Sequence, residues 1–388
     1  MDVAERRARL GRRQHLARSA RATSPLDVAH SLVALHATDP ATVFLSAAAR
    51  LAQPDVASIE AALYEERVLV RMLGMRRTMF VVPTEFAPVV QAACTRAIAQ
   101  RLRRTYHQVF QAAGLAEDVP NWLAEIENAT VAALEKRGEA TAQELTRDVP
   151  ALKTQILLAA GKNYEAMQGI STRVLMQLSA DARVMRGRPR GSWISGQYRW
   201  STVDAWLPGG LPDLPTSAAQ VSLVRAWLRS FGPGTFDDLK WWTGLTMGEV
   251  KRAVAQLDVV QVDLAESPGL VLADDTDPMS APEPWVALLP GLDATPMGYA
   301  ERSWFLGDHG PGLFDRSGNI GPSVWCDGRI VGGWAQRPNG AVVYKLLEDV
   351  GRDAARRVES AAHSLSAWLG AIRITPRFRT PLERELSG

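Results

Sequence analysis

The sequence has little of what would indicate a redox, metal-binding or membrane protein. Its two cysteines, Cys94 and Cys326, lie too far apart for a metal-binding motif and are too few for a disulfide framework. Its histidines are scattered, with none at the spacing that holds a metal on a helix. No apolar run approaches the roughly 18 residues of a membrane span, and the arginine-rich N-terminus lacks the apolar core of a secretion signal. We therefore expect a cytoplasmic protein without a metal or cofactor.

Lysine is also scarce, because only six of the 44 basic residues are lysine and the first is Lys136. Although the formal net charge is only +2, the arginines are clustered: residues 6–21 contain seven and residues 183–199 contain five, with no acid in either range. A GC-rich genome would favour arginine without any function behind it. Two acid-free clusters are nevertheless typical of a nucleic-acid-binding surface.

Length and hydrophobic pattern predict several domains. The 388 residues, 46% hydrophobic, are enough for more than one apolar core. A pattern of helices followed by paired strands occurs three times, and a strand-rich last third follows. We predict an α+β fold of tandem winged-helix (helix-turn-helix) domains followed by a small β-rich C-terminal domain. The predicted domains are 1–115, 116–206, 216–275 and 283–388, and without a heptad repeat we expect a monomer.

Local signals make these predictions more specific. A helix is expected over 3–20, and a second from Ser24-Pro25 to about Leu35. Residues 187–192 are expected to form a hairpin or wing between two strands. Asp327-Gly328 is a two-residue hairpin signal, and a final strand is expected near 371–375.

Three stretches carry a resemblance to a known family: Leu288-Leu289-Pro290-Gly291-Leu292-Asp293, Asp327-Gly328-Arg329-Ile330-Val331-Gly332 and Trp241-Trp242-Thr243-Gly244-Leu245. With these, the chain resembles the winged-helix DNA-binding proteins that include the AlkZ- and YcaQ-type bacterial DNA glycosylases. The resemblance implies three winged-helix units and a C-terminal β domain around a concave DNA-binding surface. It also implies removal of bulky N7- or N3-alkylated purines and, in some members, unhooking of interstrand crosslinks.

The family's catalytic motif has two polar residues around one spacer, and the resemblance places His36 and Thr38 at those positions. Both differ from the glutamine–x–glutamine or glutamine–x–aspartate of the family. A neutral histidine can still accept a hydrogen bond from water, and a threonine hydroxyl can donate and accept. Asp39 adds a carboxylate that would act as a base or stabilise positive charge. Each residue has a structural alternative: a satisfied structural histidine in a turn between helices, a turn hydroxyl bonded to backbone, and a helix N-cap before Pro40.

The expected DNA contacts combine the resemblance with the arginine clusters. Arg76 and Arg77 precede a strand as in the family's arginine–glycine–threonine turn, and Arg173 lies on the predicted recognition helix. The wing adds Arg186, Arg188, Arg190 and Trp193. Guanidinium groups suit phosphates, and the Trp193 ring would stack at a base step unless it packs under the hairpin.

The leading hypothesis is a DNA glycosylase. We expect it to be monofunctional, with water as the nucleophile, because no lysine before Lys136 offers an amine for a Schiff base. Its partner would be double-stranded DNA carrying alkylated purines, and its place the nucleoid. It would serve base excision repair or self-resistance to a genotoxin. The alternatives are a non-catalytic winged-helix DNA-binding protein, acting as a regulator or lesion sensor, and a protein that sequesters a drug.

Overall fold

A computed structural model describes residues 1–158, 166–264 and 267–388 and gives a mixed α+β fold. The first segment, 1–115, contains α1 (Val3–Arg13), α2 (Pro25–Leu32), β1 (Leu35–His36), α3 (Pro40–Ala48), α4 (Val56–Glu60), β2 (Leu69–Gly74), β3 (Thr78–Pro83), α5 (Ala87–Val90) and α6 (Arg96–Ala112). The strands form an antiparallel sheet in the order β1-β3-β2.

The second and third segments repeat the combination of helices with an antiparallel hairpin. The second contains α7 (Val119–Arg137), β4 (Ala140–Thr141), α8 (Ala142–Asp148), β5 (Gln155–Leu158), β6 (Ala166–Gly169), α9 (Ser171–Ala180), β7 (Val184–Pro189), β8 (Tyr198–Thr202) and α10 (Val203–Trp206). The third contains α11 (Thr216–Phe231), α12 (Phe236–Thr243), α13 (Met247–Val254), β9 (Val259–Leu264) and β10 (Ser267–Leu272). The strand orders are β4-β8-β7 with a separate β5-β6 pair, and β10-β9.

The C-terminal segment is built on a four-stranded antiparallel sheet in the order β11-β12-β13-β14. Its elements are β11 (Val286–Leu289), α14 (Ser303–Leu306), α15 (Gly310–Leu313), β12 (Ser323–Cys326), β13 (Arg329–Gln336), β14 (Val342–Leu346), α16 (Gly351–Leu369) and α17 (Pro381–Ser387). As predicted, Asp327 and Gly328 form the turn between β12 and β13, and both have positive φ angles, 46° and 81°.

Capping explains where several helices begin and end. The side chains of Thr141 and Glu144 cap α8 reciprocally, and Thr235 and Thr246 form the same capping box at α12 and α13. Gly244 ends α12 with a φ of 72°, a left-handed conformation that glycine adopts without strain.

Two helix predictions were too long, and positive φ angles explain both. The helix expected over 3–20 ends at Arg13 because His15 has a φ of 57°; a short 3₁₀ turn follows at Arg18–Ala20. The helix expected to reach Leu35 ends at Leu32 because Val33 has a φ of 61°. Leu35 and His36 then pair with β3 instead.

The strand predicted near 371–375 is also wrong. The backbone there bonds to a side chain rather than to a strand: Gln336 Oε1 accepts from Ile374 N at 2.8 Å, and Gln336 Nε2 donates to Ile372 O at 3.1 Å.

The segments share one apolar core, whose buried residues extend from Leu10 to Leu382. A second cluster lies between the C-terminal sheet and α16. Each predicted domain contains its own sheet, while the boundaries between the domains stay a prediction. Within the described residues, no helix is both long and apolar enough to cross a membrane.

Candidate functional site

The segment that contains the candidate catalytic residues is fixed to the first sheet. His36 pairs with Phe80 across β1 and β3, and the amide of Ala37 donates to Met79 O at 2.8 Å. The chain then leaves the sheet at Thr38 and enters α3 at Pro40. His36, Thr38 and Asp39 therefore lie at a short connection between a sheet edge and a helix.

His36 is a buried and neutral side chain, only 6% exposed. Burial, with a further contribution from the charge of Arg76, lowers its pKa to about 3, although Asp293 acts in the opposite direction. Its ring meets Phe80 edge-on at 5.5 Å between centroids. Its Nδ1 atom is buried and has no hydrogen-bond partner among the described residues. The imidazole thus lies behind the surface with an unused ring nitrogen.

The carboxylate of Asp39 holds backbone atoms together. It accepts hydrogen bonds from the amide of Ala41, as the N-cap of α3, at 3.0 Å, and from the amide of Arg377 at 2.9 Å. The guanidinium of Arg377 in turn donates to the carbonyl of Thr38 at 3.2 Å. Asp39 is therefore the N-cap of α3, the structural alternative that the sequence offered for this residue.

A cleft of about 490 Å³ opens beside Thr38, between the first and second segments. Three arginines line it: Arg186 on β7, Arg190 at the following turn and Arg377 near the C-terminus. Its other lining residues are Ala37, Thr38, Pro40, Thr141, Ala142, Gln143, Thr172, Leu175, Gly196, Gln197, Tyr198 and Trp200. No aspartate or glutamate is among these described residues, so the cleft is basic.

The two wing arginines in the cleft differ in their surroundings. Arg186 is largely buried against the rings of Tyr198 and Trp200, and burial together with nearby Arg71 lowers its pKa to about 10. Arg190 is exposed. Its side chain has no hydrogen bond or ion pair with the described residues, and its amide donates to Gln197 O at 2.9 Å.

The other two wing residues make intramolecular contacts. Arg188 forms ion pairs with Glu60 at 2.7 Å and Glu65 at 3.0 Å. Trp193 is 6% exposed and packs against Phe44 and Trp368, with ring centroids 4.9 and 5.7 Å away. Of the two alternatives for Trp193, the structure contains the packed one, because its ring fills the apolar core where the second segment meets α3 and α16.

Arg76, Arg77 and Arg173 do not line this cleft. Arg76 stacks on Trp241 of the third segment, 3.8 Å from the ring centroid, and burial lowers its pKa to about 10. Arg77 is exposed and, with Arg173, lies beside Tyr106 of α6. Arg76 and Arg77 instead line a second cleft, together with Thr243 and Glu249.

The sequence reasoning missed three residues at the cleft: Arg71, Tyr198 and Arg377. Arg71 is 3% exposed on β2, donates to Ala37 O at 2.9 Å and lies 4.9 Å from the centre of the Tyr198 ring. An available signal for Arg377 was the cluster of three arginines over residues 373–379. Nothing local in the sequence distinguishes Arg71 from an exposed strand residue.

A buried polar network fixes α3, and with it the candidate site, to the C-terminal segment. Arg50 and Asp293, both fully buried, form an ion pair at 2.7 Å. Ser46 donates to Asp293 Oδ2 at 2.6 Å, and Thr42 donates to Gly291 O at 2.9 Å. Asp293 and Gly291 come from the stretch that carried the family resemblance. That stretch therefore positions the helix that follows His36 and Thr38.

Comparisons with known proteins agree with this architecture. A family model described as DNA glycosylase AlkZ-like matches residues 29–368. The fold is similar to that of the Streptomyces sahachiroi DNA glycosylase AlkZ, with a TM-score of 0.72 and 20% sequence identity over 97% of this chain and 98% of that one. No curated protein sequence matches significantly. Because the family model spans most of the chain and the resemblance in its motifs is confirmed, the protein belongs to the AlkZ-like family of DNA glycosylases.

Proposed function

We propose that this protein removes N7- or N3-alkylated purines from duplex DNA by hydrolysing the N-glycosidic bond. The observation that carries the proposal is the position of Thr38 in the wall of a cleft lined by arginines, in a member of a glycosylase family. In this proposal the helix–hairpin units act as tandem winged helices, and their arginines hold the duplex.

The chemistry requires little from the protein. An alkylated purine is already cationic and leaves readily through an oxocarbenium-like state, so the site mainly positions a water molecule. Thr38 is at the cleft and its hydroxyl can orient that water. His36 lies behind it as a neutral acceptor. Asp39 acts as a positioning residue, because its N-cap contact and its bond to Arg377 set the backbone of Thr38.

The test uses a labelled duplex with a single N7-methylguanine, which mild alkali cleaves wherever the base has been removed. We expect cleavage above the spontaneous rate, a loss of at least tenfold in Thr38→Ala, and wild-type cleavage in Arg352→Ala. Arg352 is a matched control because it is an exposed arginine on α16 that does not line the cleft. Equal excision by Thr38→Ala and the wild type would exclude the assigned role of Thr38.

The second candidate is a winged-helix protein that binds lesions or regulatory sites without catalysis. The cleft favours it in one respect, because no aspartate or glutamate is among its described lining residues to act as a base. Tight, salt-sensitive binding of the same duplex without excision would support this alternative. Sequence-specific footprints on undamaged DNA would identify a regulator rather than a lesion sensor. Crosslink unhooking and genotoxin self-resistance are extensions of the first candidate.

A further inference from the structure

The wall of the cleft contains buried polar atoms without partners. Arg186 Nε and the Tyr198 hydroxyl both belong to lining residues, and neither has a hydrogen-bond partner among the described residues. Behind them lies Arg71, whose guanidinium donates to Ala37 O and lowers the pKa of the Tyr64 hydroxyl through a hydrogen bond, against the larger effect of burial. Buried polar groups are normally satisfied, so the two unsatisfied donors of Arg186 and Tyr198 mark a place where a ligand supplies the acceptors.

Arg186 and Arg71 also have no ion pair among the described residues, unlike the buried Arg9 and Arg50. Arg9 pairs with Glu5 and Asp275, and Arg50 pairs with Asp293. In contrast, the charges that act on Arg186 include those of Arg71 and Arg377, which are also positive and lower its pKa further. Burying a charge without a counter-charge is costly, and an anion in the cleft removes that cost.

The acids in the neighbourhood are already engaged. Glu60 and Glu65 pair with Arg188, which is not among the residues that line the cleft. The carboxylate of Asp39 accepts from two backbone amides. Arg190 adds an exposed guanidinium at the cleft. None of these acids forms an ion pair with Arg186 or Arg190, and an anion from outside the protein would supply their counter-charge.

We propose that Arg186, Arg190 and Tyr198, with Arg71 behind them, form a phosphate-binding site in the cleft next to Thr38. A guanidinium group has only hydrogen-bond donors, and a phenol hydroxyl can donate as well. Both therefore bind the oxygens of a phosphate. The phosphate comes either from the backbone of the DNA duplex or from a free phosphate-bearing solute. The first source rests on the proposed function, because it requires DNA in the cleft.

The first experiment measures binding to a duplex with one tetrahydrofuran abasic-site analogue, which needs no bond cleavage. A neutral methylphosphonate replaces, in separate duplexes, the phosphodiester on either side of the analogue. We expect one replacement to weaken wild-type binding about tenfold, the effect of losing a charge-assisted hydrogen bond. Arg190→Ala and Tyr198→Phe should bind the unmodified duplex about as weakly as the wild type binds the sensitive methylphosphonate duplex. The methylphosphonate should then weaken their binding little further. Arg352→Ala should respond to the methylphosphonate as the wild type does.

Tyr198→Phe separates binding from folding. It removes only a hydroxyl that has no partner in the described protein, so its thermal stability should equal or exceed that of the wild type. A purely structural role for Tyr198 predicts the reverse, a less stable protein with unchanged affinity.

The second experiment measures thermal stability with inorganic phosphate against chloride at equal ionic strength. Stabilisation of the wild type but not of Arg186→Gln supports the site. If this occurs without any methylphosphonate effect, the source is a free phosphate rather than DNA. Two results together would overturn the proposal. The methylphosphonate would weaken DNA binding equally in the wild type and in all cleft variants, and phosphate would not stabilise the wild type. Excision of methylguanine has no bearing on either readout, so this inference and the proposed function can fail separately.

Discussion

Replacing Asp293 by asparagine tests the buried ion pair that joins α3 to the C-terminal segment. The Asp293 carboxylate accepts from Arg50 at 2.7 and 2.9 Å, from Ser46 Oγ at 2.6 Å and from Thr295 N at 2.9 Å. Asparagine has nearly the same size, but it changes one acceptor into a donor. It also leaves the guanidinium of Arg50 buried without a counter-charge.

Removing one partner of a buried ion pair costs about 3–5 kcal/mol, compared with a total of about 5–15 kcal/mol for a typical domain. Asp293→Asn should therefore lower the free energy of unfolding by that amount at pH 7. Arg50→Met should cost a similar amount, because it leaves the carboxylate unpaired. The double variant should cost less than the two single variants together, by up to about 3 kcal/mol.

The pH dependence has a definite sign. Burial alone would raise the pKa of Asp293, but the charge and hydrogen bonds of Arg50 lower it below its ordinary value. The stabilisation is therefore complete above the unfolded-state pKa of about 4 and is lost as the pH falls through the lower folded-state pKa. The difference in the free energy of unfolding between the wild type and Asp293→Asn should therefore decrease as the pH falls below about 4.

Urea denaturation followed by tryptophan fluorescence measures these free energies at pH 7 and at pH 3. A cost below about 1 kcal/mol for Asp293→Asn, or strictly additive costs for the two single variants, would show that Arg50 and Asp293 do not stabilise the fold as a pair.

Three further predictions concern His36, Asp39 and Trp193. Burial lowers the pKa of His36 to about 3, so below about pH 6.5 the unfolded chain is protonated at this residue before the folded protein is. Stability should therefore fall by up to about 1.4 kcal/mol per pH unit, a contribution that His36→Gln should lack; parallel profiles of stability against pH for the two proteins would contradict this. Asp39→Asn keeps a capping oxygen and should retain most excision, whereas Asp39→Ala should lose about 1 kcal/mol of stability; a large loss of excision in Asp39→Asn would instead indicate a catalytic base. Trp193→Ala should cost about 3–5 kcal/mol in thermal or urea unfolding without changing DNA affinity while folded, and weaker DNA binding by the folded variant would restore the stacking hypothesis.

Local chemistry predicted the elements whose ends depend on neighbouring residues. The N-cap at Asp39 before Pro40 and the turn at Asp327-Gly328 both form as the sequence indicated. Each depends on side chains within a few residues of the backbone that they bond, and such contacts can be read from a short stretch of sequence. The family motifs were recognisable for a different reason, because they are contiguous.

The predictions that failed depend on distant partners. The strand at Leu35–His36 exists because β3 lies beside it, and the segment near 371–375 is not a strand because Gln336 bonds to it first. Trp193 is apolar wherever it lies, so its sequence position does not distinguish a wing tip from the core against Phe44.

The α+β class and the family could be predicted from the sequence, as could the arginine-rich character and the stretch that contains His36 and Thr38. Which of the charges are paired could not, because the pairs form between residues that folding brings together. Arg188 and Arg186 are two residues apart on one strand, yet the first meets two glutamates and the second meets only tyrosine, tryptophan and further arginines. Residues two apart on a regular strand share a face, but the pairing of β7 with β8 shifts register between Arg186 and Pro189, so the two side chains meet residues from different, distant parts of the chain.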